Sequence, residues 1–302
     1  MQNKTLWLVA ICGMMAVAAQ AQVLVNDYFY DATLTGSGST SKITTTGGGE
    51  YVQIFSPASA NSPALLNASN SFGRNTMQIL SSGNIVYRAV DFSAVTGGSP
   101  FTLNSLTTGQ TLSLSVGLAF GNSATALTAA EFDLGFLRYT NAATTSPSAI
   151  DDPDHNASIL YARQKTTNAA NGTKLTYRTG LIHMANGTKD IKQATDTGLS
   201  PSTIYNLTLS VTKDELGNFL VEYYRDGDLI MSITDALAAT RDLEMTGIGF
   251  RIPENVGYSA LIDHINVSVI PEPSTWLLLM AGIISLLVAA LRKSREKTSA
   301  HL

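Results

Sequence analysis

The stretch YNLTLSVTKDELGNFLVEYYRDGDLIMSI, residues 205–233, decides the fold class of this chain. Apolar and polar residues alternate along it, which is the period of a strand with one buried face. Leu216-Gly217-Asn218 and Asp226-Gly227 interrupt the alternation. Asp-Gly is favoured in two-residue hairpin turns because glycine tolerates positive φ. The stretch therefore predicts antiparallel strands joined by tight turns.

The same alternation recurs along most of the chain. It is found in YVQIF from Tyr51, NIVYRAVDF from Asn84, QTLSLSVGLAF from Gln110, EFDLGFLRY from Glu131, SILYARQ from Ser158, TKLTYRTGLIHM from Thr173, TGIGFRI from Thr246 and SALIDHINVSVI from Ser259. Helix-like composition is confined to residues 124–130 and 235–242. No charged or proline-rich linker divides residues 22–270, so these strands predict one all-β domain with two packed sheets.

The run of residues 205–233, followed by IGFRI and ALIDHINVSV, resembles the C-terminal strands of concanavalin/laminin-G-like jelly rolls. In that layout a strand leads into an Asp-Gly hairpin, and a last strand bearing an aspartate closes the domain. The resemblance implies a jelly-roll sandwich for residues 22–270. It implies little about chemistry, because sandwiches of this kind include lectins, hydrolases and inert spacers.

Composition excludes several classes of function. The 302 residues carry 19 Lys and Arg against 23 Asp and Glu, for a formal charge of −4. Four of the cations, Arg292, Lys293, Arg295 and Lys297, lie at the C-terminal end, so the remainder is acidic and lacks the basic face that nucleic-acid binding requires. The single cysteine, Cys12, lies in the N-terminal segment, which excludes cysteine catalysis and thiolate metal sites from the body.

The N-terminal segment has the three parts of a secretory signal peptide. Lys4 supplies the positive charge, Leu6 to Ala18 is apolar, and Ala19-Gln20-Ala21 is a cleavage site with small residues at its ends. We expect residues 1–21 to be a signal peptide that is cut after Ala21. The alternative is an uncleaved membrane anchor.

The C-terminal segment combines a proline motif, an apolar run and a basic end. Pro271-Glu272-Pro273 interrupts regular structure and leaves an extended segment. Residues 274–291 follow; Trp276 to Leu291 contains one polar residue, Ser285, and spans about 24 Å as a helix. We expect a transmembrane helix, extended by snorkelling of the basic side chains. The basic end, residues 292–302, should stay cytoplasmic by the positive-inside rule.

This order of parts resembles the PEP-CTERM sorting signal. The resemblance implies recognition of Pro271-Glu272-Pro273 by an exosortase-type membrane protease, processing near the motif, and transfer of the body to the cell surface or an exopolysaccharide matrix. Before processing, the body would be periplasmic and held to the inner membrane by Trp276 to Leu291, with Arg292, Lys293 and Arg295 at the cytoplasmic side. The alternative is a plain C-terminal anchor preceded by a chance Pro-Glu-Pro.

Glu131-Phe132-Asp133 is the strongest catalytic candidate, because alternation places both carboxylates on one face of a strand. Concanavalin-like glycosidases carry a third carboxylate on such a strand as general acid, and retaining hydrolysis needs two carboxyl groups about 5 Å apart. The positions for the third are Gly135 and Phe136 here. We therefore interpret Glu131 and Asp133 as a solvent-facing strand pair, with a degenerate glycosidase as the least favoured alternative.

Two further features concern ligand binding. The loop containing Asp151, Asp152 and Asp154 concentrates the oxygen ligands that calcium prefers, although its spacing is not that of an EF-hand, and a solvated acidic loop is the alternative. Tyr223 and Tyr224 are adjacent in a strand, so one must point out of the sheet, where it could stack on a sugar or rest on a neighbouring strand.

The sequence thus predicts a non-enzymatic exported surface or exopolysaccharide-matrix protein that needs no cofactor. The alternative is an extracellular carbohydrate-binding module, lectin-like and assisted by calcium, with exopolysaccharide as its partner.

Overall fold

The structure is a computed structural model of the chain. It describes residues 21–35, 42–45, 47–55, 64–67, 72–80, 85–121, 131–139, 151–152, 156–168, 175–185, 188–197, 203–234, 241–251 and 259–271.

Strands dominate the described residues. In chain order they are β1 (Gln22–Tyr28), β2 (Thr33–Thr35), β3 (Lys42–Thr44), β4 (Glu50–Phe55), β5 (Ala64–Asn67), β6 (Thr76–Leu80), β7 (Ile85–Ala89), β8 (Thr111–Gly121), β9 (Glu131–Tyr139), β10 (Asp151–Asp152), β11 (Asn156–Asn168), β12 (Leu175–Ala185), β13 (Thr188–Thr197), β14 (Tyr205–Lys213), β15 (Phe219–Arg225), β16 (Asp228–Thr234), β17 (Gly247–Arg251) and β18 (Ser259–Ile270). A short helix α1 (Ser93–Thr96) and a 3-10 turn (Leu103–Ser105) join β7 to β8.

The strands form two sheets within the described part of the chain. Sheet A has the order β16-β15-β14-β8-β18-β6-β5, with β1 also paired to β18. Sheet B has the order β13-β12-β11-β9-β17-β7-β4-β3-β2, with β10 also paired to β11. Each pair whose register is described runs antiparallel, for example β14 with β15 and β9 with β17. The chain is therefore all-β with two antiparallel sheets, as the alternation predicts.

One hydrophobic core joins the inward faces of the two sheets. In sheet A, every second residue of β8 is inward and buried, namely Leu112, Leu114, Val116, Leu118 and Phe120. Sheet B contributes large aromatic side chains from β9 and β17, among them Phe132, Phe136 and Phe250. Burying each such side chain contributes about 1.5–3 kcal/mol. The alternation therefore gives each sheet one apolar face, and burial of these two faces holds the sheets together.

A buried polar cluster ties sheet A to sheet B. Asp27 on β1 points inward, where its carboxylate accepts hydrogen bonds from the Tyr51 hydroxyl at 2.7 Å and from Arg88 Nε at 2.6 Å. The Thr45 hydroxyl donates to its other oxygen at 3.2 Å. Tyr51 lies on β4, Arg88 lies on β7, and Thr45 directly follows β3. A single carboxylate of sheet A therefore binds three groups of sheet B. Gly49 gives the Arg88 side chain room, since a Cβ there would lie 2.4 Å from Nη2.

The strands predicted from alternation are present, and so is the Asp226-Gly227 turn between β15 and β16. Asp226 has φ of 52° and Gly227 of 89°, the positive values that this turn requires. Alternation did not predict β1, β2, β3, β5, β6, β10, β13 or α1. Most of these elements are short, and short elements carry too few residues to show a period. Residues 124–130 lie outside the described residues, as do residues 235–240 of the second helix-like stretch.

The body of the chain, Val23–Val269, is one compact unit. The two ends, Met1–Gln22 and Ile270–Leu302, form the other unit. Of these ends the structure describes only residues 21–22 and 270–271. The predicted signal peptide, transmembrane helix and basic end therefore lie outside the described residues. Within the described ranges, no helix has the length and apolar character needed to span a membrane.

Candidate functional site

An irregularity in β18 creates an unusual pair of neighbours on the outer face of sheet A. Ile262 and Ile265 both lie in the core although they are three residues apart, which breaks the period of two. Asp263 and His264, between them, are therefore both displaced to the outer face, as happens where one extra residue is inserted into a strand. Such irregularities redirect side chains, and here two polar groups become adjacent.

Asp263 is held in a two-point ion pair on this face. Its carboxylate oxygens accept hydrogen bonds from Arg74 Nε at 2.6 Å and Nη2 at 2.5 Å. The hydrogen bond with Asp263 raises the pKa of Arg74. The Asp263 side chain is only 5% exposed, whereas that of Arg74 is 49% exposed. His264 Nδ1 lies 3.3 Å from the same carboxylate. The fork geometry fixes Arg74 in place while leaving half of its side chain in contact with solvent.

Three aromatic rings lie beside this ion pair, with planes that differ by 46° between Tyr28 and Tyr30 and by 30° between Tyr28 and His264. The rings of Tyr30 and Tyr28 lie 6.0 Å apart, and those of Tyr28 and His264 also lie 6.0 Å apart. Tyr28 is 38% and Tyr30 48% exposed. The imidazole of His264 rests over Gly117 of β8, where a Cβ would come within 2.5 Å of Nδ1. We call Tyr28, Tyr30, Arg74, Asp263 and His264 the aromatic patch.

Amides and one carboxylate border the described part of the aromatic patch, since the exposed Asp31 directly follows Tyr30. The Asn266 amide donates to Asn26 Oδ1 at 3.4 Å, and the Asn75 amide donates to the carbonyl of Tyr30 at 3.1 Å. Farther along sheet A, hydroxyl pairs cover the outer face, such as Ser115 with Thr208 at 2.8 Å. The patch therefore presents aromatic rings among amides and hydroxyls, a mixture that suits a ligand with both apolar and hydroxyl faces.

Asp133 lies on the outer face of sheet B, since Phe132 and Leu134 point into the core. The prediction of a solvent-facing pair is wrong for Asp133, which is fully buried. Its Oδ2 lies 3.8 Å from Arg251 Nη1, and its cross-strand partners are Arg251 on β17 and Arg163 on β11. Burying this charge is tolerable because a cation compensates it. The side chain of Glu131 is not among those described.

Neither position at which concanavalin-like glycosidases carry their third carboxylate is occupied by Asp or Glu in this strand. Gly135 has no side chain, and the ring of Phe136 is buried in the core. Asp133 is therefore a charge held inside the sheet, and it is not the accessible carboxylate that glycoside hydrolysis requires.

Tyr223 and Tyr224 divide between the two faces of sheet A as alternation predicts. Tyr223 is fully buried in the core, whereas Tyr224 is partly exposed on the outer face. Burial, and then a hydrogen bond with Glu222, raises the pKa of Tyr224. That contact lies within β15, so whether the outward tyrosine stacks on a sugar or rests on a neighbouring strand stays a prediction.

The predicted calcium ligands and the sorting motif are only partly within the structure. Asp151 and Asp152 form β10, which pairs with Asn156 and Ala157 of β11. Their side chains and the whole of Asp154 lie outside the description, so the calcium site stays a prediction. Elsewhere among the described side chains, no three His, Cys, Asp or Glu groups are placed to hold a metal ion. Pro271 ends the described chain, and Glu272, Pro273, Trp276, Leu291, Arg292, Lys293 and Arg295 lie beyond it.

Sequence reasoning missed the aromatic patch. Its members come from residues 28–30, 74 and 263–264, which no motif connects. Two signals were available: Tyr28 and Tyr30 alternate with the apolar Phe29, and Asp263-His264 interrupts the apolar period of the last strand. The pairing of β18 with both β1 and β6 brings these segments together.

Comparison with known proteins adds little to this description. No protein-family model matches the chain, and no curated protein matches it. A carbohydrate esterase from the Shiga toxin-encoding bacteriophage phi24B is 11% identical with a TM-score of 0.47, over 83% of this chain and 99% of that one. The CBM2 module of an evolved Dit from Lactobacillus casei BL23 phage J-1 is 10% identical with a TM-score of 0.44, over 83% and 96%. The receptor binding domain of botulinum neurotoxin D is 12% identical with a TM-score of 0.43, over 87% and 53%.

At such low identities and TM-scores these likenesses carry no argument about this chain. Its function has to be argued from its own residues.

Proposed function

We propose that this chain is an exported bacterial surface or exopolysaccharide-matrix protein without enzymatic activity. Its body would be a concanavalin/laminin-G-like jelly roll, and its tail a sorting signal. The observation that carries the proposal is the order of parts after the body: Pro271-Glu272-Pro273, an apolar segment and a basic end, in a chain that begins with a signal-peptide pattern. Two antiparallel sheets around one core support the jelly-roll assignment.

The physical chemistry of the tail explains how sorting would work. The cations from Arg292 onward would hold the C-terminal end in the cytoplasm, so the body must lie on the other side of the inner membrane. Pro271 and Pro273 cannot donate backbone hydrogen bonds, which disfavours this segment as a central strand or as the interior of a helix. An extended segment next to the membrane is what a membrane-embedded protease can bind. Cleavage there would separate the body from its anchor.

The burial of Asp133 argues against a glycosidase whose catalytic carboxylates lie on β9. Asp133 is buried beside Arg251, and the neighbouring positions hold Gly135 and the core residue Phe136. A glycosidase built on this strand would need a second exposed carboxyl group within reach of the first.

A second candidate function, carbohydrate binding, is favoured by the aromatic patch. Exposed tyrosines beside a fixed ion pair and several amides are the groups that bind sugars by stacking and hydrogen bonding. The acidic residues Asp151, Asp152 and Asp154 remain the candidate ligands for calcium assistance. Both functions agree with placement of the protein in a polysaccharide matrix.

The sorting proposal is tested by intact-mass analysis of the protein recovered from the cell surface. We expect a species that lacks residues 1–21 and ends before Arg292. In a matched variant with Pro271, Glu272 and Pro273 replaced by alanine, we expect the unprocessed tail to remain in the membrane fraction. Surface protein that retains residues 292–302 would overturn processing at the tail.

A further inference from the structure

We propose that the aromatic patch of sheet A binds a neutral polysaccharide chain against its two exposed tyrosine rings. This inference rests on the carbohydrate-binding candidate above and adds to it a site and a class of ligand. It concerns Tyr28, Tyr30, Arg74, Asp263 and His264, none of which the sequence patterns single out as a binding site.

The exposure of the two tyrosines is the first argument. They are the only aromatic residues among the exposed large hydrophobic side chains of the described residues, whereas most described aromatic rings are buried. An exposed tyrosine leaves a large apolar ring face in water. Because the tyrosine side chain has few rotatable bonds, it loses less conformational entropy on binding than a longer, flexible side chain does. Two such side chains side by side mark a binding surface more strongly than one.

The spacing of the rings is the second argument. Tyr30, Tyr28 and His264 follow one another at intervals of 6.0 Å. Each interval is comparable with the advance of one sugar unit along an extended polysaccharide. The imidazole of His264 is covered by Tyr28 and Gly117, and the planes of Tyr28 and Tyr30 differ by 46°. Two successive pyranose rings could therefore lie against the two tyrosines, whereas a compact monosaccharide would cover only one of them.

Rigidity is the third argument. The Arg74–Asp263 ion pair is bidentate, and the imidazole of His264 is fixed between Tyr28, Gly117 and the Asp263 carboxylate. When His264 Nδ1–H donates to Asp263, Nε2 becomes a hydrogen-bond acceptor. Side chains held in this way lose little freedom when a ligand arrives, so more of the contact energy appears as affinity.

Charge decides the class of polysaccharide. Arg74 and Asp263 cancel each other, and the amides of Asn26, Asn75 and Asn266 around them are neutral. A polyanion of uronate or sulfate units would find no net positive charge here, and the acidic body would repel it. Neutral sugars meet no electrostatic repulsion, and their hydroxyl groups can form hydrogen bonds with the amides. The favoured ligand is therefore an uncharged chain of hexoses.

The experiment is affinity electrophoresis of the full chain, purified in a detergent without a sugar headgroup. The gels contain dextran or galactomannan as neutral polysaccharides, and alginate as an anionic one. We expect retardation by at least one neutral polysaccharide and none by alginate. Tyr28→Ala and Tyr30→Ala should each weaken binding about fivefold to tenfold, since each removes one stacking ring.

Two further variants separate the patch from general effects on folding. Gly117→Ala adds a methyl group where His264 now lies, and it should weaken binding by displacing the imidazole without removing a ring. Leu216→Ala, in the exposed turn between β14 and β15, is the matched control and should leave binding unchanged. Circular dichroism checks that each variant keeps its sheets.

The outcomes distinguish this inference from the functions it rests on. Neutral binding that survives both tyrosine variants would overturn the site and leave carbohydrate binding standing. Retardation by alginate alone, lost in the tyrosine variants, would overturn the ligand class and keep the site. Retardation by none of the polysaccharides would overturn this inference and the carbohydrate-binding candidate together, while tail processing would be unaffected.

Discussion

Replacing Arg88 by methionine should strongly destabilise the body, because it leaves a buried carboxylate without its cation. The Asp27 side chain is 3% exposed and that of Arg88 12% exposed, so water can do little to compensate. Removing one partner of a buried ion pair costs about 3–5 kcal/mol. The contact of the Arg88 guanidinium with the Tyr51 ring, 5.7 Å from its centroid, is lost as well. A marginally stable domain would lose a large part of its free energy of unfolding.

The measurement is urea unfolding followed by circular dichroism, with Asp27→Asn as the second arm of a double-mutant cycle. Asparagine keeps an acceptor for Tyr51 but removes the charge, so Arg88→Met combined with Asp27→Asn should be more stable than Arg88→Met alone. Lys42→Met is the matched control, because the Lys42–Glu50 pair is about half exposed on both sides. The loss there should stay below about 1 kcal/mol.

Two results would contradict the prediction that Arg88 compensates the charge of Asp27 between the two sheets. If Arg88→Met costs no more than Lys42→Met, or if adding Asp27→Asn deepens the loss, the charge of Asp27 is not what Arg88 compensates.

Three further predictions concern stability. Burial, and then the charge of Asp27, raises the pKa of Tyr51 above 10.0. The Tyr51 hydroxyl therefore stabilises the fold fully below pH 10 and less at higher pH, because the unfolded chain releases this proton first. Tyr51→Phe should lower the free energy of unfolding by about 1 kcal/mol at neutral pH. The difference in urea midpoint between Tyr51→Phe and the unmodified chain should shrink above pH 10, and an unchanged difference would contradict the prediction. Gly227→Ala should cost about 1–2 kcal/mol in thermal unfolding, because φ of 89° strains any L side chain; a neutral effect would argue against this turn. Gly249→Ala places a Cβ 2.1 Å from Leu137 Cδ1 and should cost about 1–3 kcal/mol by overpacking, and a more stable variant would contradict it.

Alternation and turn chemistry were enough to predict the class of fold. Strands β8, β14 and β15 are long enough to show a clear period of two, and Asp226-Gly227 fixes one hairpin through backbone conformation alone. These are local properties, since each depends on residues next to one another in the chain. The same holds for the tail motif, whose meaning depends only on the order of its parts.

The sites depended on contacts that no local pattern records. The sequence places Asp133 on the outer face of its strand, but only the antiparallel register beside Arg251 explains why a carboxylate is buried there. The aromatic patch requires the pairing of β1 with β18 and the break in period between Ile262 and Ile265.

The sequence by itself therefore determined an all-β body with hairpin turns, and it predicts the route by which that body is exported. Tertiary structure alone decided which polar side chains became partners. Asp27 meets Arg88 across 61 residues, between the two sheets, and Asp263 meets Arg74 across 189 residues, within sheet A. The reason is physical: hydrogen bonds and ion pairs depend on distance in space, whereas periodicity depends on distance along the chain.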